Sequence, residues 1–279
     1  MTRYVFRRLG GAIIILWVII TVTFALMHAI PGGPFTTEKK LPPQVKASIE
    51  AKYHLDDPVW KQYGDYLGGV ITGDLGPSYK YEGRSVNDII SDAFPISAQL
   101  GLSSLMVAVV GGIVAGAISA MRPNGIVDYA VTILSTIGIS VPTFIIGAVL
   151  VYVVGFELGW LPVAMWRGPS YMILPVLTLA AQPMGFIARL TRSDLLDVYQ
   201  QEYIRTARAK GLGAWNILIR HALGNAILPV ITYIGPLAAS LLTGSFIVET
   251  IFAIPGLGQY FVTSIYNRDY TVILGVTVF

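Results

Sequence analysis

Five stretches of this chain run for 21 to 29 residues without an Asp, Glu, Lys or Arg: between Arg8 and Glu38, Asp92 and Arg122, Asp128 and Glu157, Arg167 and Arg189, and Arg220 and Glu249. About 20 apolar residues rising roughly 1.5 Å each cross a hydrocarbon core of about 30 Å, so each stretch holds one membrane-spanning helix. The spans are placed near residues 9–30, 97–121, 129–154, 171–188 and 228–248, each bounded by charges, Pro or Gly. A sixth begins at Thr271 and is expected to continue past Phe279, because nine residues cannot cross a bilayer. The pattern predicts an all-α, polytopic helical membrane protein with six spans, the last cut short.

The segments between spans carry their own periodicities. In the long first loop, Pro42-Pro43 precede Val45, Ile49 and Tyr53 at four-residue spacing, and Asp57-Pro58 precede Val59, Trp60, Tyr63, Tyr66, Leu67, Val70 and Ile71. Both read as short amphipathic helices with Pro near the first turn, their apolar faces lying on the membrane surface or on the tops of the spans; docking of a soluble partner there is the second reading. Gly73 to Ser78 reads as a turn, Ser85 as the cap of a further short helix, and Pro95 as the opening of the second span. Pro142 and Pro183 lie deepest in their spans and are expected to bend them toward the protein interior.

Composition narrows the class. The chain is 54% hydrophobic and only 13% charged, against about 25% charged residues in soluble domains. A formal net charge of +3 argues for no nucleic-acid partner, and the absence of cysteine removes thiolate chemistry. The apolar stretch from Leu9 to Ile30 is longer than the core of a cleaved signal, so it reads as an uncleaved first span. With the N-terminus inside, ten basic residues of short loops (Arg3, Arg7, Arg8, Arg122, Arg189, Arg192, Arg205, Arg208, Lys210 and Arg220) fall in the cytoplasm and two, Arg167 and Arg268, outside. That bias predicts a cytoplasmic N-terminus and an external first loop.

The chemistry that would power transport is missing from the sequence. No G-x-x-x-x-G-K-[ST] loop is present to wrap nucleotide phosphates, and no H-E-x-x-H or G-x-S-x-G motif supports hydrolysis. An ion-coupled carrier needs carboxylates or His within its spans to bind the ion; the spans hold none at mid-depth, and His28 alone reads as a hydrogen-bonded residue near an interface. No catalytic, cofactor-binding or metal-ligating set emerges. Energy is therefore expected from another subunit.

One cytoplasmic segment asks for a role. Residues 189–227 form a loop of nearly forty residues where about 2 to 8 would turn the chain. It contains a helical stretch from Ser193 or Asp194 to a stop at Gly211, ending in Glu202-Tyr-Ile-Arg-Thr-Ala-Arg-Ala-Lys-Gly211. Arg205 and Arg208 share a face, and Ala207 and Ala209 permit close approach of a partner. On the residues alone, the plainer reading is that these bases serve only to keep the loop inside or to meet lipid phosphates.

The stretch from Glu202 to Leu212 resembles the cytoplasmic loop of the membrane subunits of binding-protein-dependent, ATP-driven importers, in the version found in peptide and nickel permeases. Pro31-Gly-Gly-Pro34, Gly73-Asp-Leu-Gly-Pro-Ser78, Gly159-Trp-Leu-Pro162, Arg189-Leu-Thr-Arg192, Glu249-Thr-Ile-Phe-Ala-Ile-Pro-Gly-Leu-Gly258 and Asn267-Arg-Asp-Tyr270 extend the similarity over the whole chain. Leu41-Pro-Pro43 with Ile49 to Leu55 is most similar to the first of two oligopeptide permease subunits. Against the wider family pattern E-A-A, three residues, G, nine residues, I-x-L-P, only Ala207 and Leu223 fall in place when the pattern is aligned on Gly211, which makes sugar and amino-acid permeases poorer relatives.

The resemblance implies a type I ABC importer permease that imports oligopeptides, or alternatively dipeptides or nickel, across the cytoplasmic membrane. It implies no enzyme activity and no cofactor in this chain, with ATP and Mg²⁺ held by separate ATPase subunits. The partners would be a second permease subunit, two ABC ATPases, an external peptide-binding protein and membrane lipid. Residues 1–95 would form the first helix and external loop, and 96–279 the permease core with its coupling loop 189–227. Glu202, Arg205, Thr206, Ala207, Arg208, Ala209, Lys210 and Gly211 would form the coupling helix that docks on the ATPase, with Ala207 buried against it. A self-contained secondary carrier and a non-transporting scaffold are the competing classes.

Overall fold

The computed structural model describes residues 2–31, 33–35 and 51–279. Helices dominate, and among the described residues the extended pairing is confined to an isolated antiparallel bridge between Pro77 and Ser85. In chain order the first helices are α1 (Thr2–Ala29), α2 (Val59–Thr72), α3 (Val86–Met121), α4 (Ile126–Ser140), α5 (Thr143–Leu150, continued as a π-helix over Val151–Glu157) and α6 (Pro169–Tyr199). There follow α7 (Glu202–Ala209), α8 (Ala214–Ile217), α9 (Leu223–Ala226), α10 (Leu228–Leu242), α11 (Phe246–Ile251), α12 (Leu257–Asn267) and α13 (Tyr270–Val278). Two compact units result, one of Met1–Ala93 with Tyr260–Phe279 and one of Phe94–Gln259.

In the first unit, α1 turns most of its apolar side chains outward, as a lipid-facing helix does. Its buried residues Phe24 and Met27 pack with Tyr270, Ile273 and Leu274 of α13 and with Tyr63 and Tyr66 of α2. The amphipathic helix after Pro58 thus lays its tyrosines on α1 and α13, and Tyr63 Oη lies 2.6 Å from Thr21 Oγ1. Trp60 and Ile71 on its other side stay exposed. His28 is hydrogen-bonded, with Phe24 O 2.9 Å from Nδ1 and Gln62 Oε1 3.3 Å from Nε2. The helix expected after Pro42-Pro43 lies outside the described residues except for its end; there Tyr53 stands edge-on to Tyr79.

The second unit is organised around α6, against which α4, α5, α10 and α11 pack. Close approach is secured by small residues, as membrane helix contacts require. A Cβ on Gly116 of α3 would come within 2.4 Å of Ala188 O, and one on Gly185 of α6 within 2.7 Å of Ser135 O.

Three helices are long and apolar enough to cross a membrane, α1, α3 and α6, and two further pairs become spans if each bent pair counts as one. The bends correct the simple reading of the runs. The third span, expected as one helix over 129–154, breaks at Val141-Pro142 and turns by 110° between α4 and α5. Pro142 removes a backbone donor, and Val141 before it is held extended, with ψ of 126°. Pro183 instead lies buried within an uninterrupted α6. The fifth span, expected over 228–248, ends at Leu242, where Gly244 takes a left-handed φ of 94°, and it joins α8 and α9 at a 55° bend.

Two further expectations fail for one reason, that the membrane boundary is not a helix boundary. Pro95 does not separate a short helix from the next but lies inside the single helix α3. The carbonyl it frees belongs to Ser91, which is exposed and can be met by water. The start of that helix is as read: Ser85 and Asp88 cap each other's amides, with Asp88 N to Ser85 Oγ at 3.1 Å and Ser85 N to Asp88 Oδ2 at 2.9 Å. No helix begins at Ser193 or Asp194 either; α6 runs through the charged residues to Tyr199 and yields at Gln200-Gln201, where Gln201 is extended.

Candidate functional site

Helix α7 is short, and its two sides differ. Ile204 and Ala207 are buried among Leu195 of α6, Ala117 and Ala120 of α3, and Ile217, Leu218, Ala222 and Ala226 of the segment that follows. Glu202, Arg205, Thr206 and Ala209, at i, i+3, i+4 and i+7, form an exposed row on the opposite side. Arg205 Nη1 pairs with Glu202 Oε1 at 2.7 Å and Thr206 Oγ1 donates to Glu202 O at 3.0 Å, so the row is pre-ordered within the helix. Lys210 and Gly211 are exposed at its end; Gly211 has a φ of 80°, and Leu212 N reaches back to Ala207 O at 3.3 Å. That left-handed residue is the stop expected of Gly211.

Ala207, expected to be buried against the ATPase, is instead covered by its own chain, which leaves it 4% exposed. The i, i+3 pairing of Ala207 with Ile204 puts it on the rooted side, while Ala209, two residues on, stands outside. Arg208 also leaves the row, with its guanidinium 5.7 Å from the centre of the Tyr199 ring. It overhangs a groove of 420 Å³ lined by Met121, Pro123, Leu196, Tyr199, Ala214 and Ile217 among others.

Three carboxylates to which the sequence reading gave no role hold the scaffold. Asp128, 3% exposed, takes a fork from Arg192, with Nε 2.5 Å from Oδ1 and Nη2 2.7 Å from Oδ2. It also accepts from Ser119 Oγ at 2.5 Å and Asn124 N at 2.8 Å, so one side chain ties α3, the turn after it and α4 to α6. Glu249, fully buried, accepts from Ser97 Oγ at 2.8 Å and Gln259 N at 3.0 Å, and Ser97 Oγ in turn accepts from Leu257 N at 2.9 Å. Glu249 lies outside the membrane-crossing helices; burial pushes its carboxyl above the ordinary value, against the lowering by these hydrogen bonds. The Pro-Gly-Leu-Gly258 run follows from this packing, since a Cβ on Gly256 would sit 2.5 Å from Glu249 Cδ.

Asp269, also fully buried, receives Ser78 Oγ, Tyr79 N and Lys80 N and caps α13 through Val272 N. Two motif stretches far apart in sequence, Gly73 to Ser78 and Asn267 to Tyr270, thus meet within the first unit. Among the described residues no group of His, Cys, Asp and Glu is arranged to hold a metal ion.

A family model described as the binding-protein-dependent transport system inner membrane component matches residues 112–279, and one for the N-terminal part of such components matches residues 1–101. This chain belongs to that family. It is a multi-pass inner-membrane transport component. Across its whole length it is 50% identical to the dipeptide transport system permease protein DppB of Bacillus subtilis, covering 91% of that protein. It is 45% identical to the oligopeptide transport system permease protein OppB of Haemophilus influenzae and 44% to that of Escherichia coli, covering 92% of each. Among solved structures, an inward-facing conformation of the MetNI methionine ABC transporter aligns with a TM-score of 0.52 at 18% identity, over 68% of this chain and 89% of that one. At that identity the likeness concerns the fold: the helical architecture of an ABC importer permease.

Proposed function

We propose that this chain is one of two membrane-spanning subunits of an ATP-driven peptide importer, taking oligopeptides or dipeptides from an external binding protein, with hydrolysis left to two separate ATPase subunits. The observation that carries the reading is the two-sided α7. Its exposed row Glu202, Arg205, Thr206 and Ala209 is free to enter a groove on a motor subunit, and its rooted side Ile204 and Ala207 passes the resulting push to α6. ATP and Mg²⁺ would be bound by the ATPases and none by this chain, and the N-terminus and α7 would lie in the cytoplasm. The peptide and oligopeptide permeases to which the chain is similar support this assignment of cargo.

Affinity purification of the chain from its membrane in mild detergent, with identification of the proteins retained, tests the reading. A second permease of the same family and ABC ATPases are expected, and Arg205→Glu combined with Ala209→Glu on the exposed row is expected to release the ATPases while keeping the second permease. Retention of the ATPases by that double variant would take the docking role away from α7.

A further inference from the structure

We infer that the Asp128–Arg192 pair is the joint through which motion of α7 reaches α3 and α4, making Arg192 a positioning residue of the transport cycle; this rests on reading α7 as the docking element. Helix α7 meets α6 through the two-residue link Gln200-Gln201 and through Ile204 and Ala207 on Leu195. Leu195 stands three residues beyond Arg192 on the same unbroken helix, so a displacement of α7 arrives at the end of α6 that carries Arg192. Among the described residues, Arg192 makes the one ion pair that joins α6 to another helix.

The pair is built to transmit direction rather than merely to fill space. Apolar contacts between α6 and its neighbours can slide, whereas a guanidinium fork on a carboxylate holds both distance and angle. Both Asp128 oxygens are engaged, by Arg192 on one side and by Ser119 and Asn124 on the other, so a pull on Arg192 is delivered to α3, its turn and the first turn of α4 together. A buried ion pair is poor evidence for stabilisation, since apolar residues of similar volume commonly serve as well. The neighbourhood also carries a mark of a second arrangement: Thr191 Oγ1 and Asp194 Oδ2, flanking Arg192 on α6, are buried without a hydrogen-bond partner. Unsatisfied polar atoms of this kind call for an explanation, and partners gained when α6 shifts supply one.

The test uses the complete transporter reconstituted in lipid vesicles, with labelled peptide taken up and ATP hydrolysed measured in the same vesicles. Arg192→Gln and Asp128→Asn are each expected to lower peptide moved per ATP at least tenfold while the ATPases still co-purify, and the double variant to be no worse than either single one. Arg192→Lys, which keeps the charge without the fork, is expected to fall between, and the exposed Arg122→Gln to leave the ratio unchanged. An unchanged ratio in the single variants, or losses that multiply in the double, would overturn the inference. So would loss of the ATPases from the Arg192→Lys assembly, because the pair would then be holding the fold. Absence of ATP-driven uptake by the unaltered assembly would overturn the importer reading and this inference with it, whereas normal uptake with an unchanged variant ratio overturns this inference alone.

Discussion

Replacing Ala207 with Glu separates internal packing from docking, because the structure places Ala207 and Ala209 on opposite sides of α7. At 4% exposure, in contact range of Ile204, Leu195, Leu218 and Ala222, position 207 has no room for a longer side chain. Overpacking a filled core costs about 1 to 3 kcal/mol. A carboxyl buried among these apolar residues has a pKa raised by about 3 units or more above the ordinary value near 4.3, so holding it protonated at pH 7 costs about 4 kcal/mol. Ala207→Glu is therefore expected to destabilise the loop by about 5 to 7 kcal/mol at pH 7 and by about 3 kcal/mol less at pH 5. The sign follows from the raised folded-state pKa: the variant regains stability as pH falls toward the unfolded value. Ala209→Glu, on the exposed side, should change the stability of the chain by no more than about 0.5 kcal/mol while weakening ATPase recovery. Thermal unfolding of both purified variants at pH 5 and pH 7, with co-purification of the ATPases at pH 7, decides. Unaltered melting of Ala207→Glu with loss of ATPase binding would mean that Ala207 faces the partner and that the packing described here is wrong.

Asp269→Ala should lower the thermal stability of the first unit by about 3 to 5 kcal/mol, since it takes the acceptor from Ser78 Oγ and from the amides of Tyr79 and Val272; Asp269→Asn, which keeps one acceptor oxygen, should cost less, and equal melting of the two would count against a charge-based hub. For topology, a cysteine at Trp60 in this cysteine-free chain should react with an impermeant thiol reagent only from outside and one at Trp215 only from inside, both positions being well exposed; the reverse pattern would invert the orientation read from the basic residues.

What the sequence discloses and what it conceals divide along physical lines. Runs without charge locate α1, α3, α4 with α5, and α6, because desolvating a charge in hydrocarbon is costly enough to leave a mark at every position of a span. They do not mark helix ends: α6 continues past Arg189 to Tyr199 and α3 begins nine residues before Pro95, since a helix leaving the membrane has no reason to stop there. The bend at Pro142 is legible as a breaker but not in size, because 110° depends on what packs beyond it. Helical spacing in Glu202 to Gly211 reveals a helix and its stop at Gly211, yet not which side is rooted: Arg205 and Arg208 are read on one face, and Ala207 is read toward a partner until Ile217 and Ala222 are seen against it. Pairings such as Asp128 with Arg192, Ser97 with Glu249 and Ser78 with Asp269 span 64, 152 and 191 positions. Nothing local distinguishes these carboxylates from those at a membrane edge.

The most direct measurement is uptake of a labelled peptide into sealed vesicles containing this chain, its second permease and the ATPases, with the external binding protein supplied on the binding side. The account predicts accumulation that requires ATP and every one of those subunits, and that stops when the ATPases alone are omitted. Accumulation by this chain without ATPases, driven by an imposed ion gradient, would contradict it.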